Sequence, residues 1–334
     1  MKVIHLPMEI AGQVSAICNY LNRKNIKATG YNYFQSYFQY DGVIETESYE
    51  MTKLIDSFIS NYDIFHYHNG HTISDNFEDL ELVKESGRKL IMHHRGPDVR
   101  SRHKARKGDG YTNPYANADD SLEDSKIHEN LLYFSKMMDA AIVQDYELYK
   151  YVIDYYKNEG KPVYILPRLI DLTGFQVYLP SLITKKPLIV HAPTQRKFKG
   201  TDYIEAVIGD LKTKHHFDYK CIEGKSRKEA LQLYKEADII IDQVLCGAFG
   251  NLSVEGMALG KPVVCYIRED MEAKTPDLPI KSANPDTLYT VLEELIKNPK
   301  MRRDLGRKGR SYVEKHHEAS KVTDKLISIY KEIL

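Results

Sequence analysis

The sequence has no surplus of charge of either sign: 47 Lys plus Arg stand against 47 Asp plus Glu. General nucleic-acid binders neutralise phosphates with a basic excess, so the balance argues against that class. No apolar run approaches the ~20 residues that cross a bilayer. The first residues, Met1-Lys2-Val3-Ile4-His5-Leu6-Pro7, lack the apolar segment and small-residue cleavage site of a secretory signal and read straight into a strand. The four cysteines, Cys18, Cys221, Cys246 and Cys265, are scattered without a CxxC pair. That spacing argues against a zinc or disulfide framework and fits reduced thiols in a cytoplasmic protein. Repeats and low-complexity tracts are absent. No GxGxxG follows the first strand pattern, which disfavours a nicotinamide dehydrogenase, and no DxD pattern sits in a loop suited to a metal.

What is present is an alternation. The 334 residues suit two domains of roughly 150 each, and 42% hydrophobic residues suffice for ordinary cores. Strand patterns at 2–6, 28–33, 64–68, 89–93, 140–143 and 163–166 are interleaved with helical ones at 13–24 and 51–60. A second block begins after Pro167-Arg168-Leu169-Ile170-Asp171, with strands at 188–191, 219–222, 239–242 and 262–266 and helices at 201–212, 228–237, 252–259, 285–297 and, in two pieces, 301–334. Alternation of this kind predicts parallel sheets with crossover helices. Within the first block, 100–125 is polar and rich in Gly, Asn and charge, and reads as a long loop or lid. Its basic cluster, Arg100 to Lys107, is either a solvated face or a contact for a phosphate or an anionic membrane surface.

The most informative run is Asp242, then Gly247-Ala248-Phe249-Gly250-Asn251-Leu252-Ser253-Val254-Glu255-Gly256-Met257-Ala258-Leu259-Gly260-Lys261-Pro262. It reads as strand, glycine loop, helix, tight turn and strand. Glycines let backbone approach a ligand, and the amides and dipole of the following helix favour an anion such as pyrophosphate. Glu255, one turn in, is placed either to bind a vicinal diol or to face solvent near the positive helix end. Upstream, His191-Ala192-Pro193-Thr194-Gln195-Arg196-Lys197-Phe198-Lys199-Gly200 puts cations at a strand-to-helix turn, where they would stabilise a departing diphosphate.

These two runs resemble the donor-site signatures of family-4 (group 1) glycosyltransferases. The resemblance implies an α/β GT-B fold: two Rossmann-like domains facing a central cleft, residues 1–170 on the acceptor side, 171–315 binding the donor, and 316–334 a helix returning to the first domain through Val322, Leu326, Ile329 and Tyr330. It implies that Glu255 binds ribose, that the loop through Gly247, Phe249, Gly250, Asn251 and Leu252 meets sugar and phosphates, that Glu223 lies by the base, and that Arg196 and Lys199 act on the leaving group. The family pattern has two glutamates eight positions apart; here the first position is Gly247, with its amide or Asp242 as stand-ins.

In the first half, Gly12 matches a glycine loop that approaches the donor phosphates. Asp63-Ile64-Phe65-His66-Tyr67-His68 and Met92-His93-His94-Arg95-Gly96-Pro97-Asp98-Val99-Arg100 resemble two further strand ends of the family. Arg95 stands where the family often has His before Gly, so the sugar-facing role passes to His94, with His93 the alternative. Arg168 is expected to pin the domains together.

The implied activity is a retaining, hexosyltransferase-type reaction in polysaccharide biosynthesis. It moves a sugar from a nucleotide-diphosphate sugar, UDP-linked by expectation, to an acceptor hydroxyl, with no metal and no cofactor. The acceptor class stays open among glycan, lipid-linked, peptide and small molecules. The expected location is cytoplasmic, with peripheral membrane contact through 100–107. A nucleotide-sugar epimerase and a non-catalytic GT-B-like partner subunit remain as alternatives, the latter because of Gly247.

Overall fold

The computed structural model describes residues 1–34, 42–106, 113–117 and 122–334. The strands are β1 (Lys2–Leu6), β2 (Lys27–Asn32), β3 (Val43–Glu45), β4 (Ile64–His68), β5 (Lys89–His94), β6 (Ala140–Val143), β7 (Val163–Ile165), β8 (Leu188–His191), β9 (Asp218–Cys221), β10 (Ile239–Ile241) and β11 (Val263–Val264). Among the described residues they form two sheets, in the orders β3-β2-β1-β4-β5-β6-β7 and β11-β10-β8-β9. Every pairing is parallel. β4 and β6 are buried at every position, as strands covered by crossover helices on both faces must be.

The chain divides into two units. The first comprises Met1–Lys104, Asp119–Leu169 and Ala319–Leu334; the second comprises Ala105–Ala118 and Ile170–Glu318. The sequence reading assigns 105–118 to the first domain, whereas it belongs to the second unit. There the short helix Pro114–Asn117 lies against the helix Arg196–Lys199, with the Tyr115 and Phe198 rings 5.1 Å apart. Much of the expected lid, 107–112 and 118–121, lies outside the described residues.

One face of the first sheet is covered by helices Gln13–Arg23 and Ala319–Ile333. The 3.6-residue spacing of Val322, Leu326, Ile329 and Tyr330 puts them on one stripe, buried with Val3, Ile17, Leu21 and Ile91. In the second unit, Leu252, Val254, Met257 and Ala258 of the helix Asn251–Ala258 enter a core with Val190, Ile240 and Val263. Burying these side chains fixes the helix against β10 and β11, with its start at the carboxyl end of β10, the end where open α/β sheets bind ligands.

Candidate functional site

β10 delivers Asp242 to the carboxyl edge of the second sheet, where it is fully buried. Its Oδ2 accepts the Gly250 amide at 2.8 Å and the Ser253 hydroxyl at 2.7 Å; its Oδ1 accepts Lys199 Nζ at 2.7 Å. Lys199 also donates to Gln243 Oε1 at 2.9 Å, and Gln243 Nε2 donates to the carbonyl of Ala248. One buried carboxylate thus ties the lysine, the glycine loop and the helix start together. Burial alone would push the Asp242 carboxyl up, but Lys199, Ser253 and Gly250 hold it below its ordinary value. Burial likewise opposes charge on Lys199, and Asp242 outweighs it, so the ammonium is raised. The pair is ionised.

This geometry explains Gly250. A Cβ there would stand 3.0 Å from Asp242 Oδ2 and 3.3 Å from Lys199 Nζ. Gly250 is the N-cap and offers no side chain to the first turn of the helix. Its opening amides therefore retain the affinity for an anion that uncapped helix starts have. Gly247 has φ +72°, and a Cβ would lie 3.0 Å from Arg268 Cβ. Its carbonyl accepts the Arg268 amide at 2.9 Å.

The other expected donor residues fall into three groups. Asn251 is exposed at the helix start. Phe249 and Leu252 are buried in the apolar core, Phe249 with its ring edge-on to His317 at 5.9 Å, so both shape the loop from beneath rather than face a ligand. Glu255 is nearly buried, with Arg227 Nε at 3.0 Å and Nη2 at 2.8 Å, both on Oε1. Burial raises the Glu255 carboxyl and Arg227 pulls it back.

Arg196 and Glu223 do come together, but against each other: Nη1 reaches Glu223 at 3.0 Å, and Nη2 reaches Glu205 at 2.5 Å and Asp202 at 3.6 Å. Arg196 is thereby enclosed by three carboxylates.

In the first unit the structure corrects two expectations. His94 is fully buried, with Nδ1 2.7 Å from Asp98 Oδ2 and Nε2 3.1 Å from Tyr156 Oη, so neither nitrogen is left for a sugar. Gly12 takes the expected left-handed turn, with φ 75°, at the start of the helix Gln13–Arg23. Where the loop was expected to approach a phosphate, the opening amides of that helix are met by Glu9, whose carboxylate accepts Ser15 N at 2.7 Å and Val14 N at 3.4 Å.

His93, the alternative to His94, belongs to a buried stack with His5, His66 and His68. Arg168 pairs with Asp145 at 3.2 Å within the first unit. In the basic cluster Arg100 is buried with both Nε and Nη2 on Glu147, which removes it from any membrane contact. Arg102 and Lys104 pair with Glu123 and Asp154 at 3.3 and 3.8 Å, and Lys107 lies outside the described residues.

Sequence reasoning did not single out Arg227, Gln243, Ser253 or Glu9 as parts of these sites. The one available signal was Ser253, three residues after the N-cap Gly250 and so on the turn that faces Asp242.

No family model matches the chain, and no curated protein matches its sequence. Solved structures do resemble it. Sucrose-phosphate synthase from Thermosynechococcus elongatus is 10% identical over 100% of this chain and 99% of its own, with a TM-score of 0.65. A trehalose-6-phosphate synthase, studied for glycosyl transfer with retention, is 9% identical over 100% and 99%, with a TM-score of 0.67. The catalytic domain of starch synthase IV from Arabidopsis thaliana, bound to ADP and acarbose, is 11% identical over 99% and 98%, with a TM-score of 0.64. At such identities the likeness shows the fold alone: a two-domain GT-B α/β architecture.

Proposed function

We propose that the chain is a glycosyltransferase that moves a sugar from a nucleotide-diphosphate sugar to an acceptor hydroxyl. The observation that carries this reading is the cradle in the second unit, where Asp242 fixes Lys199 beside the uncapped start of the helix Asn251–Ala258, with Glu255 one turn on. A diphosphate on the amides and Lys199, and a ribose on Glu255, would use each group for what its chemistry suits. Starch synthase IV, of the same fold, is bound to ADP.

The finer reading is a retaining transfer from a UDP-sugar, without a metal, in cytoplasmic polysaccharide synthesis. As the bond from the anomeric carbon to the diphosphate oxygen breaks, the acceptor oxygen bonds to the same face of that carbon. The departing diphosphate oxygen takes the acceptor's proton. Lys199 and the helix amides would receive the charge that develops. Retention is the subject of the work on the trehalose-6-phosphate synthase of this fold.

Titration calorimetry with UDP, ADP and GDP tests the reading. Lys199→Ala and Glu255→Ala should each weaken the preferred diphosphate by about 1–3 kcal/mol, roughly 5- to 150-fold in Kd. Unchanged affinity in both variants would refute the site. One observation favours the non-catalytic partner reading: Arg196, Lys199, Glu223 and Glu255 are all paired with the protein's own residues. No binding of any diphosphate would decide for it.

A further inference from the structure

At the carboxyl ends of the adjacent strands β4 and β5, three buried polar atoms have no partner: Asn69 Oδ1, His93 Nε2 and Arg95 Nε. Arg95 is 7% exposed, and among the described residues no carboxylate lies within ion-pair distance of its guanidinium. Its single side-chain hydrogen bond is from Nη2 to His68 Nδ1, at 3.3 Å. A buried guanidinium with no carboxylate in contact is costly and uncommon in a structure, and such groups concentrate where a ligand supplies the missing partner.

The histidine stack explains how the guanidinium is held. Arginine only donates, so His68 Nδ1 accepts and the His68 proton sits on Nε2. It is given to His5 Nδ1 at 3.0 Å; His5 Nε2 then donates to Tyr330 Oη at 3.4 Å. Tyr330 donates to His66 Nδ1 at 2.7 Å, and His66 Nε2 donates to His93 Nδ1 at 3.3 Å. One direction serves every link with all four imidazoles neutral, and it ends on His93 Nε2, whose proton has no partner among the described residues. Burial, reinforced by the charge of Arg95, keeps each of them below its ordinary value, His5 at about 3. His5, His66 and His68 stand close enough to share a cation. A metal on His68 Nε2 would move that ring's proton to Nδ1, against the Arg95 donor, so the chain and a metal are mutually exclusive. The stack is a fixed, uncharged pedestal for one arginine.

We propose that Arg95 and Asn69 form the floor of a site in the first unit for a small hydroxylated ligand carrying a carboxylate or phosphate. The oxyanion accepts from the guanidinium, and a ligand hydroxyl donates to Asn69 Oδ1. The inference goes beyond the transferase reading; under that reading, the ligand is the acceptor.

The test is calorimetry on the full chain with glucose 6-phosphate, glucuronate and glucose, each with and without saturating UDP. One of the two anionic sugars should bind at least tenfold more tightly than glucose, and its identity separates phosphate from carboxylate. Arg95→Gln should abolish that advantage and leave the UDP titration unchanged. Should Arg95→Gln fail to fold, Asn69→Ala decides, with at least fivefold weaker binding of the same sugar expected. The proposal is overturned if neither anion outbinds glucose, or if the folded variants bind the anionic sugar as the unaltered chain does. Failure of the unaltered chain to bind UDP would count against the transferase reading and not against this site.

Discussion

Replacing Asp242 by Asn tests whether one carboxylate organises the cradle. The substitution keeps the shape but removes the only charge paired with Lys199 Nζ among the described residues, on a side chain 15% exposed. It also forces one amide to serve contacts now shared by two carboxylate oxygens: Gly250 N, Ser253 Oγ and Lys199. Breaking a buried pair from one side costs about 3–5 kcal/mol. The residual exposure of Lys199 and the retained carbonyl reduce this to roughly 2–4 kcal/mol for Asp242→Asn. Lys199→Met leaves Asp242 with two donors and should cost only about 1–2 kcal/mol. The double variant contains no unpaired charge, so it should be more stable than Asp242→Asn alone, with a coupling on the order of 2 kcal/mol. Urea denaturation gives the energies, and hydrogen exchange on peptides covering 239–258 locates the loss. Additive single effects, or unaltered protection of that segment, would refute the argument. Because the Asp242 carboxyl is depressed, its contribution is present above about pH 4, its ordinary value, and fades as the pH falls through the lower folded value.

Three other outcomes follow from the same structure. His94→Gln breaks the contacts to Asp98 and Tyr156 and should destabilise the chain by about 1–3 kcal/mol in urea while leaving nucleotide affinity unchanged. Gly247→Glu, which restores the family residue, should lower stability by about 1–3 kcal/mol and not improve diphosphate binding, because φ is +72° and the new Cβ meets Arg268. Lys261 is buried, and burial lowers its ammonium to about 8 against the opposing charge of Asp238. The unfolded chain therefore holds that proton more tightly, and stability should rise between pH 8 and the ordinary lysine value. Lys261→Met should raise the Tm at pH 7 and flatten the rise, by roughly 1–3 kcal/mol.

The strands that carry the sites were legible because buried parallel strands leave short apolar runs: β1, β4, β6 and β8 occur where the pattern places them. The helices Glu78–Glu85 and Tyr146–Asn158 escape such a reading. Tyr146–Asn158 buries Tyr151, Tyr156 and Glu147 beside Leu148 and Val152, so tyrosine and a paired acid dilute its apolar stripe. The glycine loop was legible because Gly250 is dictated by backbone approach, a requirement few residues meet. The partners of the charged residues were not. Arg227 lies 28 positions from Glu255, and Lys199 lies 43 from Asp242; only the fold sets those distances. His94 failed for a related reason: a histidine at a strand end looks the same in sequence whether its ring turns to solvent or to Asp98 and Tyr156.

Charge decides which of the two predicted cations can serve a diphosphate. Arg196 is half exposed, and Glu205, Glu223 and Asp202 all lie within 3.6 Å of its guanidinium, so that corner carries more negative than positive charge. Glu205 and Glu223 hold the guanidinium well above its ordinary value, a sign of an arginine already satisfied. A diphosphate placed there would meet uncompensated carboxylates in water, where like charges at 4 Å repel by about 1 kcal/mol each and more as water is excluded. Lys199 has a single carboxylate partner, and that carboxylate also accepts from Gly250 and Ser253, which spreads its charge over three donors. The ammonium has three protons, of which Asp242 and Gln243 take two. The remaining proton, together with the positive end of the helix Asn251–Ala258, leaves this corner net attractive to an anion. On this count Lys199, not Arg196, is the cation that the proposed transferase would use on its leaving group, while Arg196 is bound to Glu223 and Glu205.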